Sequence, residues 1–290
     1  MTKDLFFTHD DLRFVYSDSG ASDGEVVVLL HGFPQTRACW DGVTPHLVGA
    51  GLRVLALDQR GYSRGARPLG RRAYRLELLV ADVVALVDHI GVDRVHVVGH
   101  DWGGAVAWSL AAREPDRLHT MTSLATPHSR AMIRSFWSSD QALRSLYIAA
   151  FQLPFLPELA ITGRGERLLR RTLERSGLPS RDWERYRALL QKPGAFTAAL
   201  NWYRALPFAS SADRGRSSVA TLYVYGALDF ALRPRAASLT REEVDGPYRF
   251  ETLADVGHWL PERAPDRVAA LVLEHIAEHG AAEASRAASR

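Results

Sequence analysis

Short apolar runs alternate with amphipathic stretches along the first 124 residues of this 290-residue chain. The runs at residues 26–30, 53–57 and 95–98 contain several β-branched residues and no regular polar alternation. Such runs are typical of strands that are covered on both faces. Residues 76–89, between two of the runs, carry apolar side chains at helical spacing. The alternation therefore predicts a mostly parallel sheet flanked by helices.

The pattern changes after Pro127 and returns after residue 213. Between these points we find no apolar strand, only helical stretches separated by prolines. We therefore expect a first core segment at 1–128, a helical insert at 129–213 and a second core segment at 214–290. The predicted strands are 13–16, 26–30, 53–57, 95–98, 119–124, 220–225 and 248–253. The predicted helices are 40–48, 76–89, 103–113, 142–151, 164–175, 182–190, 196–206 and 263–278.

Composition excludes several classes of protein. No apolar run approaches the ~18–20 residues needed to span a bilayer, and no charged segment followed by an apolar stretch opens the chain. The single cysteine, Cys39, excludes an intramolecular disulfide framework and a cysteine-based metal site. We expect a soluble, cytoplasmic protein with no membrane partner.

The net charge of +3 does not indicate nucleic-acid binding, because the 36 basic residues are scattered and interspersed with 33 acidic ones. A nucleic-acid-binding protein would show a basic stripe. The densest basic stretch, residues 60–75, has two interpretations: a phosphate-binding patch, or arginines used wherever a surface cation is tolerated.

The sharpest local signal is Gly99-His100-Asp101-Trp102-Gly103-Gly104, between a predicted strand and a predicted helix. An abrupt strand-to-helix turn holds one side chain at the sheet edge and requires small neighbours. This is the layout of a nucleophile elbow, with Asp101 as the nucleophile. A glycine-rich phosphate loop is the alternative, but the segment lacks the G-x-G-x-x-G spacing of a dinucleotide site.

An aspartate nucleophile attacks saturated carbon and forms an alkyl ester, which water must then hydrolyse with the help of a general base. His258 follows the last predicted strand, where the histidine of such a triad is expected. Asp229 follows the preceding strand and would orient the imidazole. Asp58, after the strand at 53–57, is a competing acid.

The loop His31-Gly32-Phe33-Pro34 directly follows the strand at 26–30. Gly32 allows the backbone to approach a ligand, and Pro34 stiffens the turn. The backbone N–H groups of Phe33 and Trp102 would then form an oxyanion hole. The plain alternative is an ordinary strand-to-loop turn.

Together, the HGFP loop, the GHDWGG elbow, the GALD segment and the VGHW segment resemble the α/β-hydrolase-fold epoxide hydrolases. The resemblance covers nearly the whole chain. It implies a mostly parallel central sheet with an inserted helical cap. It also implies that Tyr147 and Tyr203, in the insert, bind the epoxide oxygen and protonate the alkoxide formed on ring opening. We interpret Tyr186, also in the insert, as a packing residue.

The activity implied is hydrolysis of an epoxide to a vicinal diol through an ester on Asp101, without cofactor or metal ion. A haloalkane dehalogenase shares this machinery, but needs two halide-binding donors; Trp137 or Trp202 would have to supply the second. A non-catalytic ligand-binding protein is the third hypothesis. The expected partners are a small apolar epoxide and water, and a homodimer is left open. The expected pocket residues are Phe33, Pro34, Trp102, Phe136, Trp137, Phe151, Trp202 and Trp259.

Overall fold

The computed structural model describes residues 3–137, 146–161 and 163–287. Its centre is a sheet of eight strands in the order β1-β2-β4-β3-β5-β6-β7-β8. The strands are β1 (Leu5–His9), β2 (Leu12–Ser19), β3 (Val26–Leu30), β4 (Arg53–Asp58), β5 (Val95–His100), β6 (Leu118–Leu124), β7 (Ala220–Gly226) and β8 (Tyr248–Leu253). All neighbours from β4 to β8 pair in parallel, whereas β2 runs antiparallel to both β1 and β4. The predicted, mostly parallel sheet is confirmed.

The structure contains one strand that the sequence pattern did not predict. β1 pairs with β2 through a two-residue turn at Asp10 and Asp11, which have φ of 48° and 60°. Positive φ at both central residues matches the right-handed twist of a tight hairpin, and aspartate tolerates this backbone conformation.

The helices fall into a core set and a set inserted between β6 and β7. The core helices are α1 (Thr44–Gly49), α2 (Leu76–Ile90), α3 (Trp102–Arg113), α9 (Pro234–Thr240), α10 (Leu260–Arg263) and α11 (Pro265–Ala287). The inserted helices are α4 (Ser129–Phe136), α5 (Leu146–Phe151), α6 (Gly163–Arg175), α7 (Ser180–Leu190) and α8 (Ala195–Arg204). Short 3₁₀ turns lie at Arg37–Trp40, Arg71–Tyr74, Pro115–Arg117, Pro157–Ile161, Leu206–Phe208, Ala212–Arg214 and Arg241–Glu243.

Two helix layers cover the sheet. α1 and α11 pack together and contact β4, β6 and β7, whereas α2 and α3 pack together and contact β1, β3, β5 and β6. Every residue of β3 and β5 is buried as a result. This burial explains why these strands read as continuous apolar runs.

One of the hydrogen bonds that connect the inserted helices to the core starts from Trp202. The indole Nε1 of Trp202, on α8, donates to the carbonyl oxygen of Arg60 in the loop after β4, at 2.8 Å. Within the described part of the chain, no helix is both long and apolar enough to cross a membrane.

Candidate active site

Asp101 occupies a strained turn between β5 and α3. Its backbone has φ 51° and ψ −121°, a conformation that a non-glycine residue rarely adopts. The turn is crowded: a Cβ atom added to Gly103 would lie 2.0 Å from the carbonyl oxygen of Leu30. A Cβ atom on Gly32 would lie 2.4 Å from Oδ1 of Asp101. These contacts give the physical reason for the glycines around the turn and hold the Asp101 carboxylate beside the end of β3.

The two carboxylate oxygens of Asp101 face different partners. The backbone N–H of Phe33 donates to Oδ1 at 2.7 Å, and Nε2 of His258 lies 3.5 Å from Oδ2. Burial raises the pKa of Asp101, but the hydrogen bonds and positive charge around it outweigh burial and hold that pKa below its usual range. The carboxyl group is therefore ionised at neutral pH.

His258 lies between two carboxylates. Its Nδ1 is 2.8 Å from Oδ2 of Asp229, and Oδ1 of Asp229 accepts the N–H groups of Ala231 and Leu232 at 2.7 and 3.0 Å. Since a carboxylate only accepts, Nδ1 of His258 carries a proton and Nε2 faces Asp101. The structure thus brings Asp101, His258 and Asp229 into one hydrogen-bonded array.

Asp58, the competing acid, does not join this array. Its carboxylate accepts the backbone N–H of Arg37 at 2.8 Å and lies 3.2 Å from the guanidinium of the same residue. Asp58, the last residue of β4, therefore forms an ion pair with Arg37 and not with His258.

The two cap tyrosines face the array from above. The ring centroids of Tyr147 and Tyr203 are 6.0 Å apart, and both residues border a cavity of about 180 Å³ together with Asp101 and His258. Tyr203 is buried, whereas 38% of Tyr147 is exposed. Desolvation and the charge of Asp101 raise the pKa of both phenols, which are therefore protonated hydrogen-bond donors at neutral pH.

A second cavity of about 540 Å³ lies beside the first and is bordered by residues of α4. Trp102, Ile148 and Leu206 border both cavities, so the two are neighbours. The larger cavity is mainly apolar, and most of its residues were not predicted from sequence: Tyr74, Leu76, Ala105, Ser129, Met132, Ile133, Ile148, Ala149, Gln152, Ala205 and Leu206. Three of these residues, Met132, Ile133 and Ile148, are apolar side chains on the two short inserted helices α4 and α5, and nothing in the sequence shows what they cover.

The expected pocket residues divide into three groups. Trp102, Phe136 and Trp202 border the larger cavity. Phe33 and Phe151 do not border either cavity but pack against the Tyr203 ring, with centroids 5.2 and 5.0 Å from it.

The other three expected pocket residues need correction. Trp137 follows the end of α4, is 90% exposed and borders neither cavity. Trp259 lies beside His258, with ring centroids 5.1 Å apart, but its Nε1 donates to Ser176. Pro34 is buried and borders neither cavity.

A buried polar chain that sequence reasoning missed lies behind the array. His100 places Nε2 2.8 Å from the His258 carbonyl and Nδ1 2.8 Å from Oε1 of Gln35. Nε2 of Gln35 in turn donates to Glu262 at 2.7 Å, and the Tyr186 hydroxyl donates to the same carboxylate oxygen at 2.8 Å. The buried Tyr186 ring and its partner agree with a packing role for that residue. This series of hydrogen bonds connects His100, which precedes the nucleophile, to the loop after β3 and to the backbone of His258.

The basic stretch at residues 60–75 does not gather its cations at the active site. The Arg60 guanidinium forms two 2.7 Å hydrogen bonds with the buried carboxylate of Asp82, and Arg67 donates to three backbone carbonyl groups. Among the described residues, no group of three metal-ligating side chains lies at the active site; the one such group is on α11.

Comparisons with known proteins agree with this geometry. The family model described as the alpha/beta hydrolase fold matches residues 25–265. Epoxide hydrolase A of Mycobacterium tuberculosis is 32% identical to this chain, over 91% of this chain and 94% of the relative. AB hydrolase superfamily protein YfhM of Bacillus subtilis is 36% identical, over 89% and 92% of the two chains. The crystal structure of Epoxide Hydrolase A from Mycobacterium thermoresistibile matches with a TM-score of 0.81 at 26% identity, over 95% of this chain and 98% of that one.

Proposed function

Because the chain belongs to the α/β-hydrolase fold family, we propose that it is an epoxide hydrolase that converts an apolar epoxide and water into a vicinal diol. The observation that carries the proposal is the pair of protonated phenols of Tyr147 and Tyr203 above the ionised carboxylate of Asp101. A nucleophile and two proton donors that border one small cavity are what epoxide ring opening requires.

In the first step, Oδ2 of Asp101 attacks an epoxide carbon. The carbon–oxygen bond of the ring breaks, and its electron pair remains on the oxygen as an alkoxide. Tyr147 or Tyr203 donates its phenolic proton to this oxygen. The phenolate regains a proton through solvent, to which the resting His258 imidazolium loses its own, so that Nε2 of His258 becomes free to act as a base. We assign the attack to Oδ2 because Oδ1 already accepts the Phe33 N–H. The product is a hydroxyalkyl ester on Asp101.

In the second step, Nε2 of His258 takes a proton from water, and the hydroxide formed adds to the ester carbonyl carbon of Asp101. The negative charge develops on Oδ1, where the Phe33 N–H already points. The N–H of Trp102 is the second donor we propose. When the tetrahedral intermediate collapses, the diol leaves as an alkoxide and takes the proton from His258. The carboxylic acid that remains on Asp101 then gives its proton to Nε2 of His258, which restores the resting carboxylate and imidazolium. Asp229 stabilises the imidazolium between these two transfers.

The contacts of the cap tryptophans argue against the dehalogenase alternative. A halide needs two N–H donors pointing into the cavity, but the indole N–H of Trp202 is already bound to the Arg60 carbonyl. Trp137 is exposed outside both cavities. Phe33 stands at the loop position that would otherwise supply an amide donor. A non-catalytic binding protein, the third hypothesis, has no need for a strained aspartate bound to a histidine–carboxylate pair.

The test is to trap the ester in the His258→Gln variant. Ring opening needs the carboxylate and the phenols, whereas ester hydrolysis needs the base. After incubation with styrene oxide, intact-mass spectrometry should show the variant heavier by one substrate mass, and peptide mapping should place the adduct on Asp101. The wild-type enzyme should form diol and carry no lasting adduct.

Three controls make the result specific. His258→Gln combined with Asp101→Asn should remain unmodified, and His258→Gln combined with Tyr147→Phe and Tyr203→Phe should be modified at least about 10²-fold more slowly. Bromide release from 1-bromobutane by the wild-type enzyme tests the dehalogenase. An unmodified His258→Gln protein, or halide release faster than diol formation, contradicts the proposal.

A further inference from the structure

Three potential metal ligands lie together on α11, outside the active site. His275, Glu278 and His279 form a His-x-x-Glu-His sequence on one turn of the helix. One ligand atom from each lies within 4.8 Å of the others, and the two imidazole ring centroids are 4.8 Å apart. Residues three and four apart share a helix face, so small rotamer changes bring all three onto one ion.

The His275 ring is oriented so that one nitrogen lone pair is free. Its Nε2 lies 3.2 Å from the carbonyl oxygen of Ala220, at the start of β7. Because a carbonyl oxygen only accepts, Nε2 carries the ring proton and Nδ1 keeps its lone pair. Among the described residues, this Nδ1 is buried and has no hydrogen-bond partner.

The surrounding charges favour a cation at this point. Glu278 is largely exposed, and its carboxylate lies 4.0 Å from Nε2 of His279. Arg249 is a cation whose charge acts on His275, and its guanidinium forms ion pairs with Glu251 and Glu274 at 2.8 and 2.9 Å. Its charge is therefore largely compensated before an ion binds.

We propose that Nδ1 of His275, the imidazole of His279 and the carboxylate of Glu278 bind a divalent transition-metal cation such as Zn²⁺, with water as the remaining ligand. Two imidazoles and one carboxylate are a ligand set that zinc accepts. A ligating histidine usually donates its other N–H to a carbonyl or carboxylate, as His275 does to Ala220.

The position of the site indicates a structural role. Ala220 begins β7, whereas Asp101 follows the carboxyl end of β5, and these strands run parallel through β6. The metal site and the active site therefore lie at opposite edges of the sheet. A bound ion would stabilise the middle of α11 and the orientation of the His275 ring, which contacts the start of β7, without touching the substrate.

The experiment is isothermal titration calorimetry of the full, tag-free chain with zinc chloride, combined with thermal unfolding. The wild-type chain should bind one Zn²⁺ at this site, and His279→Gln or Glu278→Gln should weaken binding. Loss of an outer-shell partner alone usually weakens metal binding by about 10- to 100-fold, so losing His279 should cost at least as much. His279→Cys, which retains a zinc ligand, should restore most of the affinity.

His46→Gln is the matched control, because His46 is an exposed histidine on α1 that pairs with Asp266. It should bind zinc as the wild type does. Excess zinc should raise the unfolding temperature of the wild type and of His46→Gln, but not that of His279→Gln. The proposal is overturned if the wild type binds no zinc. It is also overturned if binding is unchanged in His279→Gln and disappears in His258→Gln, which would place the ion at the active site.

Discussion

The charge on His258 depends on the chemical state of Asp101. Burial lowers the pKa of His258, but the carboxylates of Asp229 and Asp101 outweigh it and raise that pKa to about 10. The resting imidazole is therefore protonated at neutral pH. Ester formation on Asp101 would remove one of the two negative charges and lower the pKa of His258. The histidine would then become a base at the stage when water must be activated.

The Asp101→Asn variant isolates this effect, because the amide has the size of the carboxylate but no charge. We expect the pKa of His258 to fall by about one to three pH units, the usual effect of one close opposite charge. The measurement is an NMR titration of the imidazole resonances in a freshly prepared sample. Asp58→Asn is the control, since Asp58 is bound to Arg37 and not to His258. A His258 resonance that titrates identically in Asp101→Asn and wild type would refute the coupling.

The individual residues that sequence could locate are those fixed by strand ends. Asp101, Asp229 and His258 each follow a strand of the parallel sheet, and the carboxyl ends of parallel strands meet at one edge. The expectation that Trp137 lines the pocket was wrong. A position at the end of a short helix does not determine where the side chain points, whereas the end of a parallel strand places a residue at the edge of the sheet. The direction of the Trp137 side chain depends on how α4 packs, which only the three-dimensional structure shows.

At the scale of elements, one buried ion pair connects three parts of the molecule. Asp82 on α2 binds the guanidinium of Arg60, in the loop after β4. The carbonyl of Arg60 accepts the indole of Trp202 on α8. Nδ1 of His9, at the end of β1, also lies 2.9 Å from the Asp82 carboxylate. The Arg60–Asp82 ion pair and its hydrogen bonds therefore connect the β1–β2 hairpin, helix α2 and the inserted helices.

We predict that Asp82→Asn destabilises the fold by about 3–5 kcal/mol, because it leaves the Arg60 charge buried without its partner. Urea unfolding measures the loss. A matched control is Asp255→Asn, which removes one partner of the exposed Arg267 ion pair and should change stability little. Replacing Arg60 and Asp82 together with methionine and leucine should recover part of the lost stability. Equal unfolding midpoints for the two single variants would contradict this role of the pair.

The sequence predicted an element correctly where both faces of that element are buried. It failed where the element forms only through contacts with neighbouring elements. The bounds of β3 and β8 agree with the prediction, and those of α2 differ by one residue. The predicted helix at 40–48 is instead a 3₁₀ turn, Arg37–Trp40, followed by α1. α4 and α9 were not predicted, because eight and seven residues are too few to establish helical spacing. The first part of the predicted helix at 142–151 lies outside the described residues.

At the scale of the whole molecule, the cavity was beyond sequence reasoning. Leu76 and Ala105 of the core face Ile133, Ile148 and Leu206 of the insert across the same 540 Å³ space. Each of these residues is apolar and could equally well pack in a core that contains no cavity. The space between them depends on how the inserted helices are positioned on the core. That position is set by contacts between residues far apart in the chain.

The pH dependence of stability is also a property of the whole molecule, because it sums groups from distant elements. Burial lowers the pKa of His31, His100 and His275 to about 4. Between pH 4 and 6.5 the unfolded chain binds more protons at these three residues, so they make stability rise with pH. Burial raises the pKa of Glu262 from 4.5 to about 7. Between these values the folded state binds more protons at Glu262, so this one group makes stability fall as pH rises.

Above pH 6.5 the balance reverses. The three buried histidines are then neutral in both states, whereas His258, with its pKa raised to about 10, keeps its proton only in the folded state. Stability should therefore fall by up to about 1.4 kcal/mol per pH unit between pH 7 and 9. We predict a maximum of the unfolding free energy near pH 6.5. Urea unfolding at pH 5, 6.5 and 9 measures it, and a value at pH 9 equal to or above that at pH 6.5 would show that the resting His258 is not protonated.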